Sequence, residues 1–325
     1  MLGVRGIYER LSGRSSPSRF RRAEKDGQEL AHFTLCIGNY RHIRRAYGED
    51  AALESLDELV NRINLVLQGE GVATAAAYGQ IMVRMTGRGL MRPDEASQTC
   101  KTWLWAFCAA ISSVPVQVGP SAIFTLLSAK WDRLPEGDAF ARPEPANPWY
   151  MDDHVLVSEA DSEASEIWAR RYREDMALAA EVLAAITPTE MPPERGEARF
   201  LLLLWQAVYD AGRPGQILYH EALLRFVDRH GGWIAPSQSL FALERLGLVR
   251  MLDEHIVSRV IARLEANPDA RLAVNISARS ARADPWWAEI RARRGMQLRG
   301  AVSPAVNDRS GRYRAAVLRL CSERP

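Results

Sequence analysis

The stretch "QILYHEALLRFVDRHGGWIAPSQSLFALERLGLV", Gln216 to Val249, sets one acid, Glu221, inside an apolar run of strand character. Arg225 follows four residues on, then a Gly231-Gly232 turn and a helix opening near Pro236. The acid has two readings: a charged residue at a strand end, or a ligand in a site that the rest of the chain completes. The surroundings are patterned. "FLLLLWQAVYD" is a strand and "AGRPG" a turn before it. "RMLDEHIVSRVIARLEANP" is a second helix, and "RLAVNIS" is a further strand that ends near Asn275.

N-terminal to this region, "SEASEIWARRYREDMALAAEVLAAI" predicts the strongest helix of the chain, with Ile167, Tyr172, Met176, Ala179, Val182 and Leu183 at apolar positions. Trp168, Tyr172 and Met176 form a stripe beside Arg170, Arg171 and Arg173. That stripe suits a signalling helix or a dimer contact, or a helix packed on the first strand of the C-terminal region. The proline-rich segment 133–160 reads as a linker.

Before the linker the order is strand, helix, hairpin, helix, strand. "HFTLCIGN" is a buried strand, and the helix after it places Leu53, Leu56, Leu59, Val60, Ile63 and Leu67 on one face. "VATAAAYGQIMVRM" is a hairpin around Tyr78-Gly79. The next helix starts at Pro93-Asp94, and "VPVQVGPSAIFTLLSAKW" supplies one or two further strands. The fold class is α/β overall, with an α+β domain first.

Composition places limits on function. The chain has 325 residues, 47% hydrophobic and 25% charged, with a formal charge of +2. That is ordinary for globular domains and gives no reason to expect nucleic acid. Cys36, Cys100, Cys108 and Cys321 show no C-x-x-C spacing, which suits reduced thiols in a cytoplasm. The apolar blocks "TWLWAFCAAI" and "FLLLLWQAVY" are about half the length of a bilayer crossing, so no membrane span is expected. Residues 1–27, with seven basic residues up to Lys25, read as a basic flexible arm.

In order and spacing, "WQAV", "YHEALLRF", "GGWIAPSQS", "ALERLGLV" and "LAVNIS" resemble the first half of an EAL domain, the cyclic di-GMP phosphodiesterase family. The resemblance implies a TIM-barrel-like fold, of which residues 161–290 would be the N-terminal half. It also implies that Glu221 and Asn275 are ligands of Mg²⁺ or Mn²⁺, that Arg225 contacts a ligand phosphate, and that Gln206 lines the same mouth. Ala207 stands where the family often has proline. Oxygen donors at barrel strand ends suit such metals, which activate water and neutralise phosphoryl charge. Taken alone, Asn275 could equally bond a nearby turn, and Arg225 could be a solvated charge. "HEALL" is not a zincin motif, because Leu224 stands where the second histidine is needed.

The acids that complete such a site in the family are missing. After Ile290 the sequence offers isolated Asp308 and Glu323 among nine arginines, and no apolar strand ending in acids. About 150 residues remain from Asp175 onward, against the roughly 250 of a full barrel. The expectation is an incomplete catalytic site without phosphodiesterase activity, any metal being held weakly. The 291–325 tail reads as out-of-frame translation of a GC-rich gene or as a native disordered tail. A half-barrel of this kind would expose strand edges and apolar surface.

The first domain, 28–132, is then similar in element order to the GGDEF (diguanylate cyclase) family. "IGNYRHIRRAYGED" resembles its first strand and following loop, and "AAYGQIMVRM" its hairpin. The acids are again absent. Cys36 and Gly38 occupy the strand's aspartate positions, Ala77-Tyr78-Gly79-Gln80-Ile81 the signature, and Arg44 and Leu53 the guanine-binding positions. An unrelated ferredoxin-like domain is the other reading. Together the resemblances imply a degenerate GGDEF–EAL protein that senses cyclic di-GMP or contacts a second copy or another protein; the alternative is an active metal-dependent phosphodiesterase. Gly87-Arg88-Gly89 is no phosphate loop, since no G-K-[ST] follows.

Overall fold

The computed structural model describes residues 30–67, 69–86, 96–133, 162–186, 200–227, 233–234, 236–267, 269–281, 286–287, 290, 296–306 and 314–322. The basic arm, the linker beyond Arg133, Pro93-Asp94, Gly87-Arg88-Gly89, the Gly231-Gly232 turn, Asp308 and Glu323 lie outside the described residues. The chain divides into two compact units, residues 2–180 and 181–325.

In the first unit the elements run β1 (Leu30–Ile37), α1 (Tyr40–Tyr47), α2 (Glu49–Leu67), β2 (Gly71–Ala75), β3 (Gln80–Thr86), α3 (Ala96–Ser112), β4 (Val116–Val118), β5 (Ser121–Ile123), β6 (Leu127–Arg133) and α4 (Ser162–Ala184). The main sheet is antiparallel in the order β2-β3-β1-β6. Alternation along β1 buries Phe33, Leu35 and Ile37, and the register sets Phe33 opposite Val83 and Leu35 opposite Ile81, both also buried. Phe107 of α3 meets Phe33 edge-on at 6.2 Å. Asn64 fastens α2 to β2 by donating to the Ala73 carbonyl and accepting from its N–H.

The buried face of α2 runs through Ala52, Leu56, Leu59 and Ile63, and Leu53, expected on it, is 46% exposed. The stripe starts at Ala52, and one residue on is a 100° rotation. On α4, Trp168, Tyr172 and Met176 are buried within the first unit, while Ile167 points outward. The Trp168 ring lies 5.4 Å from His42, and the Phe124 N–H donates to Met176 Sδ at 3.3 Å. Arg173 donates to the Ala46 carbonyl at 2.6 Å, and Arg45 lies over the Trp168 ring. This stripe therefore seals the first unit's own core.

The second unit contains β7 (Phe200–Tyr209), β8 (Ile217–Val227), β9 (Trp233–Ile234), α5 (Ser237–Leu246), α6 (Val249–Ala266), β10 (Arg271–Ser277), β11 (Met296–Val306) and β12 (Arg314–Ser322). Its sheet order is β11-β12-β10-β8-β7, with β9 beside β8. β7 and β8 are an antiparallel hairpin, whereas β8 and β10 are parallel and joined through α5 and α6. Leu243, Leu246, Leu252, Ile256, Val257, Val260 and Ile261 of these helices are buried. Gly247 at φ 75° ends α5, and the Leu248 N–H returns to the Leu243 carbonyl at 2.7 Å.

The sequence reading gave the 291–325 tail no strand, but its backbone forms the hairpin β11–β12, with β12 antiparallel to β10 from Arg271↔Cys321 to Ser277↔Ala315. Arginines interrupt the period-2 pattern there and hide it from an apolar scan. A barrel continues with parallel strands. Here the strand after β10 in the sheet is antiparallel, and among the described residues the sheet is open.

Candidate functional site

Along β8 the side chains alternate: Ala222 and Phe226 are buried on one face, and Glu221, Leu223 and Arg225 lie half-buried on the other. The ladder sets Gln206 of β7 opposite Glu221 and Leu202 opposite Arg225. On the other flank Ala273 of β10 is level with Glu221. Asn275, two residues beyond Ala273, falls on the same face. All four residues singled out in the sequence thus share one face of the sheet.

They are not all joined. Asn275 donates its Nδ2 hydrogen to Glu221 Oε1 at 2.5 Å, a charge-assisted bond between neighbouring strands. Gln206 is level with Glu221 in register and exposed. Arg225 donates its Nη1 to the carbonyl of Leu224, its own neighbour, at 2.7 Å.

One carboxylate and one amide oxygen are hard donors of the type that Mg²⁺ or Mn²⁺ takes. Among the described residues, however, no group of three or more His, Cys, Asp or Glu comes together. Asn275 also presents its NH₂, not its oxygen, to Glu221. These residues do not fit a divalent-cation site, and still less the paired ions of a phosphodiester hydrolase.

A second polar cluster, which the sequence reading missed, holds the exit of β10. The Ser277 N–H donates to Asp253 Oδ2 at 2.9 Å, and its hydroxyl donates to Glu244 at 2.7 Å. Arg279 donates to the Glu244 carbonyl at 2.9 Å. Arg250, only 5% exposed, bonds Glu254 at 2.8 Å and the Ser280 carbonyl at 2.5 Å. Its guanidinium lies under the Trp286 ring at 4.9 Å, and Trp287 Nε1 donates to the same carbonyl. Burial pushes Asp253 up to about 7, against the opposing pull of the Ser277 amide and Arg250. The available signal was charge within an otherwise apolar helix face, Arg250, Asp253 and Glu254 at i, i+3 and i+4 among Val249, Leu252, Ile256 and Val257.

In the first unit, β1 ends in a locked loop. Asn39, 1% exposed, donates to the Phe124 carbonyl at 2.8 Å and to Tyr172 Oη at 3.1 Å, and accepts from the Leu126 N–H at 2.9 Å. The hairpin at Ala77–Ile81 turns on Tyr78, at φ 57° and 85% exposed, and on Gly79. It carries no acid. Arg44 faces Glu49 at 3.6 Å, both exposed. A cavity of about 240 Å³ beside α1 is lined, among the described residues, by Arg41, Arg44, Arg45 and Ser165. Such a basic set can attract an anion but cannot ligate a metal.

Residues 194–298 match the EAL domain family. This span contains the whole Glu221–Asn275 arrangement. No curated protein matches the sequence. Among solved structures, the chain is similar to the S helix–GGDEF–EAL portion of Vibrio cholerae LapD, at 14% identity and a TM-score of 0.28, over 89% of this chain and 62% of that one. It is also similar to a sensory box/GGDEF family protein from Caulobacter crescentus, at 16% identity and a TM-score of 0.26, over 39% of this chain and 76% of that one. Diguanylate cyclase SiaD from Pseudomonas aeruginosa, solved with its activator SiaC, is similar at 15% identity and a TM-score of 0.26, over 42% of this chain and 48% of that one. The chain thus spans less than two thirds of LapD and of SiaD. No described helix is long and apolar enough to cross a membrane.

Proposed function

We propose that this chain is a cyclic di-GMP signalling protein of EAL type that binds its ligand without hydrolysing it. The observation that carries the reading is the Glu221–Asn275 pair inside the EAL match, with no third acid beside it among the described residues. Arg225, turning from the Leu224 carbonyl, would meet a ligand phosphate, and Gln206 would hydrogen-bond at the same mouth. The first unit reads as a degenerate GGDEF domain, since Cys36, Gly38 and the Ala77–Ile81 hairpin supply no carboxylate to bridge magnesium and nucleotide phosphates.

Calorimetry with cyclic di-GMP, in EDTA and then in Mg²⁺ or Mn²⁺, combined with chromatography for the linear dinucleotide, tests this reading. Micromolar binding that Arg225→Ala abolishes, without linear product, is the expected result. Metal-dependent product that disappears in Glu221→Ala would make the chain an active phosphodiesterase. Neither binding nor product would remove the ligand from the proposal.

A further inference from the structure

The ladders of the second sheet carry one row of residues across the five strands β7, β8, β10, β12 and β11. Gln206 is level with Glu221, Glu221 with Ala273, Ala273 with Arg319, and Arg319 with Arg299. Residues directly opposite on neighbouring strands share a face, so both arginines fall on the face of Glu221 and Asn275. Their neighbours in sequence fall on the other face. There Leu320 is level with Leu272 and Leu318 with Val274, and both β10 residues are buried. Strands of one sheet lie about 4.8 Å apart, so Arg319 stands about 10 Å across the ladder from Glu221, with the small Ala273 between them. Arg225 stands about 13 Å from Glu221 in the other direction, along β8 on the same face.

Resting on the cyclic di-GMP reading above, we propose that Arg319, with Arg299 beyond it in the row, is a second phosphate-binding group of the same site. A cyclic dinucleotide carries two phosphodiester groups; Arg225 receives one and Arg319 the other. A phosphate brought up to Glu221 meets a carboxylate, and its charge has to be balanced by cations. The residues about Glu221 do not fit a divalent ion, so that balance falls to side chains on the same face. Arginine suits the task, because its planar fork gives a phosphate two parallel N–H donors where lysine gives a point charge. The arginines of the β11–β12 hairpin thus take the place in this sheet that metal-binding acids would hold in a hydrolase.

Calorimetry on the full chain in EDTA tests the inference, with cyclic di-GMP and inorganic pyrophosphate as separate probes. Arg319→Gln is expected to weaken the binding of both by about ten- to hundredfold, the worth of one hydrogen bond to a charged group, and Arg299→Gln by less. Arg319→Lys keeps the charge and loses the fork, so its affinity should fall between those of the native chain and Arg319→Gln. Arg170→Gln, which removes the same charge from an exposed position on α4, should change neither. Circular dichroism checks the fold of each variant. If Arg319→Gln does not fold, Arg319→Lys decides in its place, and native affinity there overturns the proposal. Cyclic di-GMP held as tightly by a folded Arg319→Gln as by the native chain would overturn it too, and would leave the cyclic di-GMP reading intact. Pyrophosphate binding that falls in Arg319→Gln, in a chain that takes up no cyclic di-GMP, would keep the arginine row and remove the dinucleotide. Binding of neither probe would overturn both.

Discussion

Asn275 Nδ2 lies 2.5 Å from Glu221 Oε1, and this bond ties β10 to β8 across the parallel step of the second sheet. The same contact that marks the candidate site is therefore a structural tie. A hydrogen bond to a charged group contributes about 1.5–3 kcal/mol, and half-burial places this one toward the low end. Glu221→Ala should lower stability by about 1–2 kcal/mol in urea unfolding, and Glu221→Gln, which keeps a carbonyl acceptor, by less. Equal losses in the two variants would mean that the amide does not hold the carboxylate.

Asn39 plays the corresponding part in the first unit, with three bonds to Phe124, Leu126 and Tyr172 from a fully enclosed side chain. Asn39→Ala leaves those groups buried without it, each at a cost of about 1–3 kcal/mol. A total loss near 3 kcal/mol is expected by denaturant titration. Asn39→Asp keeps the acceptor for the Leu126 N–H but sets a carboxylate against the Phe124 carbonyl, so its loss should be at least as large. An Asp variant as stable as the native chain would contradict the bonding described.

The parts of this molecule that were legible in the sequence are those governed by local period. The α2 stripe from Leu56 to Ile63, the Tyr78-Gly79 hairpin and the β8–α5–α6–β10 succession follow from apolar spacing and turn residues. The destination of a stripe was not legible. Trp168, Tyr172 and Met176 are spaced for burial, but spacing does not say which core receives them. Nor did composition reveal β12, whose arginines conceal a strand that only pairing with β10 defines. The Asp253–Ser277 and Arg250–Ser280 ties were hidden for the same reason, because partners 24 and 30 residues apart meet only in the fold.

Gly79 is required twice over. Its φ is 73°, in the left-handed region, and a Cβ there would lie 2.6 Å from Tyr40 Cβ. A left-handed residue with a side chain costs about 1–2 kcal/mol, and overpacking adds about 1–3 kcal/mol. Gly79→Ala should therefore lower stability by about 2–4 kcal/mol. In the Tyr40→Gly background, where the ring and the Cβ that meet it are both gone, the same substitution should cost only the backbone part. A double-mutant cycle without coupling between the two positions would show that Tyr40 does not press on the turn.

Asp253 and His255 are two residues apart on α6 and bias stability in opposite directions with pH. Burial raises Asp253 from 3.8 to about 7, so the folded state holds that proton more tightly than the unfolded chain does. Its contribution is fully present below about 4 and is lost as pH rises to about 7. Burial first, and then Arg259, lowers His255 from 6.5 to about 4. Its contribution is present above 6.5 and is lost as pH falls toward about 4. Between those limits the two slopes oppose each other, and the native chain should show a shallow dependence of Tm on pH. Asp253→Asn leaves an oxygen to accept the Ser277 N–H and unmasks the histidine, so its Tm should climb relative to the native chain from pH 4 to 6.5. His255→Gln unmasks the carboxyl, and its Tm should fall relative to the native chain from pH 4 to 7. Scanning calorimetry at half-unit intervals reads both, and relative slopes of the same sign would refute the pairing.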